Sequence, residues 1–135
     1  MVTNILFVTG GTAAGTPTAG FVALYSSAST PALLAQSADF STTARAGDTA
    51  YQIPLATAQT ITQAGLYWVS ICFAAATVPT LRGLSVGNAA VAAALVTGMP
   101  VSAQTHGSGL TDTAPATITS GTAVATPCYY VATQN

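Results

Sequence analysis

Short runs of β-branched and aromatic residues, separated by clusters of glycine, proline, serine and aspartate, occupy the first two-thirds of the chain. Runs of this length and spacing are typical of all-β proteins, and abundant threonine also favours strands over helices. We therefore predict an all-β fold, an antiparallel β-sandwich of the jelly-roll type, in one domain spanning residues 1–135. The predicted strands are Ile5–Thr9, Phe21–Ser26, Leu33–Gln36, Ala50–Leu55, Thr60–Thr62, Leu66–Phe73 and Cys128–Ala132.

Two of these runs carry apolar residues on both faces. Because side chains alternate along a strand, each run divides into two sets. In the first run, Phe21, Ala23 and Tyr25 face opposite to Val22 and Leu24. In the second, Tyr67, Val69, Ile71 and Phe73 face opposite to Leu66, Trp68, Ser70 and Cys72. We expect Leu66–Phe73 to be a central strand whose second face is also covered.

The segments between and after these runs have other compositions. Residues 10–20 are rich in glycine, threonine and alanine and predict a flexible surface loop. The Ala-rich segment near residues 88–96 follows a good N-cap residue, Asn88, and is the one place where a short helix competes with strand. Residues 98–127 are loop-rich and are expected to contact neighbouring subunits. The last run fits either a terminal strand or an arm on a neighbouring subunit.

Hydrophobic residues make up 50% of the chain and the mean hydropathy is +0.56, which raises the question of a membrane. The longest apolar stretch, Leu66–Val78, is interrupted by polar residues and is too short for the roughly 20 residues of a spanning helix. The amino-terminal residues lack the basic segment of a secretory signal. We expect neither a membrane span nor secretion.

Charge is almost absent, at 4% of residues against the roughly 25% of an ordinary domain. There is no lysine or glutamate, and the ionic side chains are Asp39, Asp48, Asp112, Arg45 and Arg82. Two arginines are too few to track a nucleic-acid backbone, so we expect no nucleic-acid binding. A surface of Thr, Ser, Gly and Ala packs against identical neighbours without desolvating charge, which favours a homo-oligomer.

The residue types of several catalytic and metal sites are present but badly arranged. His106, Ser108 and Asp112 lie in one Gly-rich loop, whereas the members of a hydrolase triad normally come from separate elements. The spacing of the acidic residues does not fit a calcium loop, and Cys72, Cys128 and one histidine are too few for zinc. We predict no enzyme, no cofactor and no metal, and two cysteines that are core thiols rather than a disulfide.

The scarce charged residues are better candidates for fixing loops or an interface. An arginine in a nearly uncharged chain can pair with a carboxylate, so we expect Arg45 or Arg82 to pair with one of the aspartates. Asp39 and Asp48 flank a polar segment and are expected to start turns by bonding their own backbone. Most aromatic residues are expected in the core; Tyr129 and Tyr130 are the candidates for a contact to a glycan, as is typical of exposed aromatic rings.

The stretch from Ala19 to Thr42, AGFVALYSSASTPALLAQSADFST, resembles a module of virion proteins from tailed phages that infect actinobacteria. The continuations QAGLYWVS at residues 63–70 and ATVPTLRG at residues 76–83 are similar to that module's Gly-x-Tyr-Tyr-Val strand and Pro-Thr turn. The resemblance covers residues 5–83 and rests on strand and turn patterns. It implies a β-sandwich appended to tail or fibre proteins, and it brings no catalytic residues.

From the resemblance and the composition together, we expect a structural protein of a phage virion surface, assembled in the host cytoplasm. A short β-domain with little charge suits a capsid decoration or head-fibre protein that binds the major capsid protein, or other virion proteins, as a homotrimer. The alternative is a tail-fibre or minor tail module that binds a glycan of the host surface.

Overall fold

The computed structural model describes residues 1–84, 104–105, 109–118, 122–123, 128–129 and 131–134. The strands in these ranges are β1 (Val2–Val8), β2 (Gly15–Tyr25), β3 (Leu33–Gln36), β4 (Ala50–Gln59), β5 (Trp68–Thr77), β6 (Gly83–Leu84), β7 (Gln104–Thr105), β8 (Thr122–Ala123), β9 (Cys128–Tyr129) and β10 (Val131–Gln134). The described ranges contain no helix, so the all-β prediction is confirmed for them. Across the same ranges there is accordingly no helix long and apolar enough to cross a membrane.

Two antiparallel sheets of three strands form a sandwich. The strand order is β10-β1-β4 in the first sheet and β3-β2-β5 in the second. Residues 37–49, which we call the crossover loop, carry the chain from β3 in the second sheet to β4 in the first. The short pairs β6-β9 and β7-β8 are also antiparallel. The predicted antiparallel sandwich is therefore confirmed.

The main core lies between the two sheets and is built from alternate residues of their strands. The first sheet contributes Val2, Ile5, Phe7, Ile53 and Leu55, and the second contributes Val22, Leu24 and Ala35, with Phe40 from the crossover loop. Phe7 is 1% exposed, and its ring centroid lies 5.7 to 6.4 Å from those of Tyr51, Phe73 and Phe40. Burial of each large side chain stabilises the fold by about 1.5–3 kcal/mol, so this aromatic cluster anchors one end of the sandwich.

The outer face of the β3-β2-β5 sheet is covered as well. Residues 109–118, which we call the strap, place Ala114 and Ile118 on Phe21, Ala23 and Tyr25 in a second apolar cluster. Two backbone hydrogen bonds and one side-chain hydrogen bond hold the strap in place. They run from the Tyr25 hydroxyl to the Pro115 carbonyl, from Leu33 N–H to the Ala116 carbonyl and from Ile118 N–H to the Pro31 carbonyl, at 2.8 to 3.0 Å. This part of the predicted loop-rich region thus covers its own sheet.

The predicted division of faces is confirmed in both strands. Val22, Leu24, Val69, Ile71 and Phe73 pack into or against the main core, whereas Phe21, Ala23, Tyr25, Trp68 and Cys72 pack under or beside the strap. Leu66, which was assigned to the second set, precedes β5 and is exposed. The prediction that Leu66–Phe73 is a central strand is wrong for the described part of the chain. β2 is the central strand of its sheet, and β5 is an edge strand among the described strands. The residues of β5 from Trp68 to Ala75 are half-buried.

Several predicted boundaries also change. The flexible loop predicted for residues 10–20 is shorter, because β2 already starts at Gly15 and its first half pairs with the last residues of β5 through a bulge between Pro17 and Ala19. The segment 60–62 is not a strand, because β1 begins at Val2, opposite Gln59, and no strand residue precedes Val2 to pair with it. The segment near residues 88–96, where a short helix competes with strand, lies outside the described residues.

The last run behaves as a terminal strand. β10 pairs antiparallel with β1 of the same chain, from Asn4 opposite Gln134 to Phe7 opposite Val131. β9 pairs with β6 instead. Of the two interpretations left open for this run, the structure shows the terminal strand.

Candidate functional site

Four of the five ionic side chains lie in the crossover loop or against it. Asp39, Arg45 and Asp48 belong to the loop, and Arg82 reaches it from the segment before β6. Asp48 N–H donates to the Gly10 carbonyl at 2.7 Å, which joins the end of the loop to the turn after β1. The scarce charge is thus concentrated where the chain passes between the sheets.

Arg82 forms an ion pair with Asp48. The Arg82 guanidinium donates from Nε to Oδ1 of Asp48 at 3.1 Å and also from its Nη2. The two side chains are 58% and 56% exposed, and exposed pairs typically contribute about 0–1 kcal/mol. The predicted pairing of an arginine with an aspartate is confirmed. The turn bond predicted for Asp48 is wrong, because its carboxylate accepts from Arg82 instead; its backbone φ of 51° is one that aspartate tolerates better than most residues.

Arg45 has a different environment. It is only 9% exposed, and its guanidinium carbon lies 4.8 Å from the ring centroids of both Phe40 and Tyr51. Its buried Nε finds no hydrogen-bond acceptor within the described ranges. The positive charge is therefore balanced by the negative faces of two rings, at the edge of the aromatic cluster. Sequence reasoning singled out Arg45 but not this stacking.

Asp39 starts a turn, as predicted. Its carboxylate accepts the backbone N–H of Ser41 at 2.9 Å and the Ser41 hydroxyl at 2.8 Å, and it also accepts the N–H of Gly20 on β2 at 2.9 Å. The Ser41 bonds, backbone first, and then the Gly20 bond hold the pKa of the Asp39 carboxyl below its usual range. Asp39 thereby fastens the start of the crossover loop to the central strand.

Asp112 lies exposed in the strap, where its backbone has the larger role. The Gln36 side chain donates to the Asp112 carbonyl at 3.1 Å and accepts from the Ala114 N–H at 2.7 Å. The Asp112 carboxylate accepts only the neighbouring Thr113 hydroxyl, at 3.3 Å, within the described part of the chain. Gln36 therefore fixes the strap, and nothing in its sequence context distinguishes it from other glutamines.

Other predicted residues are described only in part. Cys72 is a free thiol, half-buried under the strap, and burial raises its pKa. The backbone of Cys128 and Tyr129 forms β9, and their side chains lie outside the described residues, as do Tyr130, His106 and Ser108.

The contacts of these charged groups lie within the fold. One aspartate closes a turn, one aspartate and one arginine form a surface pair, and the other arginine stacks on rings. Within residues 1–84 and the shorter described ranges, no three histidine, cysteine or acidic side chains come together as metal ligands. The contacts of Asp39 and Asp48 hold the crossover loop against β2 and against the turn after β1.

A groove at the opposite end of the sandwich was not predicted. It has a volume of about 350 Å³ and is bordered by the turn after β2, by Leu34 of β3, by the end of β4 and by the segment leading to β5. The described residues that line it are Ser26, Ser27, Ala28, Leu34, Gln59, Thr60, Ile61, Thr62, Gln63 and Tyr67. None of them is charged. The sequence gives no sign of it because the lining comes from four separate segments.

Comparison with known proteins adds no relative: no family model, no curated protein and no solved structure matches the chain.

Proposed function

We propose that this protein is a non-enzymatic structural protein of a bacteriophage virion surface, a capsid decoration or head-fibre protein that coats or stabilises the shell. The observation that carries the proposal is the resemblance of residues 5–83 to a module of actinobacteriophage virion proteins. The same stretch contains β2 to β5 and the larger part of β1, and these five strands supply all but one of the strands in the two three-stranded sheets. The resemblance therefore coincides with a folding unit rather than with scattered segments.

The distribution of charge also supports attachment to other virion proteins. Arg45 is buried on rings, and Asp48 and Arg82 neutralise each other. Residues 50–77, which form β4, β5 and the segment between them, contain no ionic side chain. Surfaces of this kind can be buried against a capsid protein, or against two further copies in a trimer, without the cost of desolvating charge.

Imaging purified particles tests the proposal. We expect the protein on the particle surface, in a copy number that fits a homotrimer on the head, and mass measurement of the isolated protein should give a trimer. Because little charge is available for an interface, the association should weaken only slightly between low and high salt. Absence of the protein from purified particles would overturn the virion assignment. Density confined to the tail would instead favour the glycan-binding tail module.

A further inference from the structure

We infer that the groove at the end of the sandwich opposite the crossover loop is a binding site for a neutral saccharide. The inference does not depend on where the protein is located. β1 runs from Val2, opposite Gln59 at the groove end, to Val8, opposite Ala50 at the crossover end. The groove is therefore separated by the length of the sandwich from the ion pair and from Arg45.

The walls of the groove are fixed by the fold. Tyr67 and Leu34 pack partly against the main core and also line the groove, so its apolar side is continuous with the core. The Tyr67 hydroxyl donates to the Gln63 carbonyl at 3.1 Å, which ties the ring to the loop between β4 and β5. A Cβ on Gly65 would lie 2.6 Å from Cβ of Ser27, so glycine allows this loop to approach the turn after β2. The cleft is consequently preformed.

The polar groups of the groove are available to a ligand. The side chains of Ser27, Thr60, Thr62 and Gln63 make no hydrogen bond within the described residues, although all four line the groove. Hydroxyl and amide groups both donate and accept, which matches the paired donor and acceptor character of sugar hydroxyls. The Tyr67 ring and the aliphatic Ile61 and Leu34 offer apolar surface for the C–H face of a sugar ring.

Charge and size narrow the ligand class further. Because none of the described lining residues is charged, they offer no compensation for desolvating a phosphate, a carboxylate or an ammonium group. A lipid is disfavoured because hydroxyls and amides alternate with the apolar residues. The volume of about 350 Å³ lies at the lower end of the roughly 300–1,000 Å³ of small-molecule sites, which suits one or two sugar rings.

Amide NMR titrations of the full chain test the inference. The probes are glucose, galactose, mannose, N-acetylglucosamine and maltose, each taken to tens of millimolar, with glucuronate as the charged counterpart. We expect at least one neutral sugar to shift the amides of residues 26–28 and 59–63 and the side-chain amide of Gln63, with little effect from glucuronate. No shift there with any neutral sugar, or equal shifts with glucuronate, would overturn the inference.

Substitutions assign the binding to the groove. Thr62→Val and Gln63→Ala remove exposed polar groups and should each weaken binding about fivefold or more. Tyr67→Leu keeps an apolar contact with the core but removes the ring, and should weaken binding about tenfold. The matched control is Gln52→Ala, at an exposed position of β4 outside the groove, which should bind like the wild type. Unchanged binding in the Thr62 and Gln63 variants would contradict the site, whatever the folding of the Tyr67 variant.

Discussion

Replacement of Arg45 by methionine isolates the contribution of the buried cation. Methionine keeps an unbranched chain of similar length and removes the guanidinium from the faces of Phe40 and Tyr51. The other arginine supplies a matched control, because Arg82→Met removes a cation of the same kind from an exposed ion pair. The two variants differ in environment and not in the chemistry that is removed.

The expected magnitude follows from the two ring contacts. A desolvated cation over an aromatic face contributes up to about 2 kcal/mol, and two such contacts would contribute about 1–4 kcal/mol. Part of this gain is offset by the cost of burying the charge of Arg45, which the substitution relieves. We expect Arg45→Met to lower the free energy of unfolding by about 1–2 kcal/mol, or the melting temperature by about 4–8 °C. Arg82→Met should cost about 0–1 kcal/mol.

Urea unfolding provides the measurement, because urea leaves the ionic strength free to vary and Trp68, the single tryptophan, reports on β5 by its fluorescence. The comparison is made at low salt and at about 0.5 M NaCl, where the Debye length falls to about 4 Å. The loss in Arg45→Met should persist at high salt, whereas the smaller loss in Arg82→Met should fade. Equal losses in the two variants, or a loss in Arg45→Met that disappears with salt, would refute the reasoning.

Three further predictions concern packing, proton linkage and the strap. Gly20→Ala should destabilise the fold by about 1–3 kcal/mol in urea unfolding, because its Cβ would lie 2.5 Å from a core phenyl ring; Gly11→Ala, with its nearest atom at 3.8 Å, should cost much less. The free energy of unfolding should be constant between about pH 5 and 9. The lowered pKa of Asp39 contributes stability that is lost only as the pH falls below the ordinary aspartate value of 3.8. The raised pKa of Cys72 contributes stability that is lost as the pH rises above the ordinary cysteine value of 9.0. Asp39→Asn should remove much of the acid limb in a series of melting curves, and a steep change near neutrality would contradict this account. Gln36→Ala removes two bonds to the strap and should speed hydrogen exchange of strap amides while amides of β1 stay protected; unchanged exchange in the strap would show that its apolar contacts suffice.

The alternation of side chains was the most informative part of the sequence. In β2 and β5 both alternate sets are apolar, which predicted two covered faces, and the structure supplies both covers. A period of two residues fixes which side chains share a face whatever the strand pairs with. The faces were therefore predictable without knowledge of the sheet order.

Sheet order and strand ends depend on partners that are distant in the chain. β2 was predicted to start at Phe21 because Gly15 to Gly20 has the composition of a loop, yet these residues are held by pairing with the far end of β5. The strap shows the same limit. Its residues Ala114 and Ile118 gain their role from contacts with β2, about 90 residues earlier in the chain, and no local pattern records those contacts.

The two arginines are equally rare in the sequence but have different roles in the structure. Both are singled out because they are scarce, and the composition predicts that one or the other pairs with an aspartate. The structure gives that partner to Arg82, which is exposed, and gives Arg45 two aromatic rings at the margin of the core. A carboxylate beside Arg45 would have required a second charge to be desolvated, whereas the rings balance the cation and add apolar burial. In a chain with so few ions, this choice leaves no second charge buried beside Arg45. At the other end of the sandwich, none of the described residues that line the groove is ionic, so specificity there has to come from hydroxyl, amide and aromatic groups.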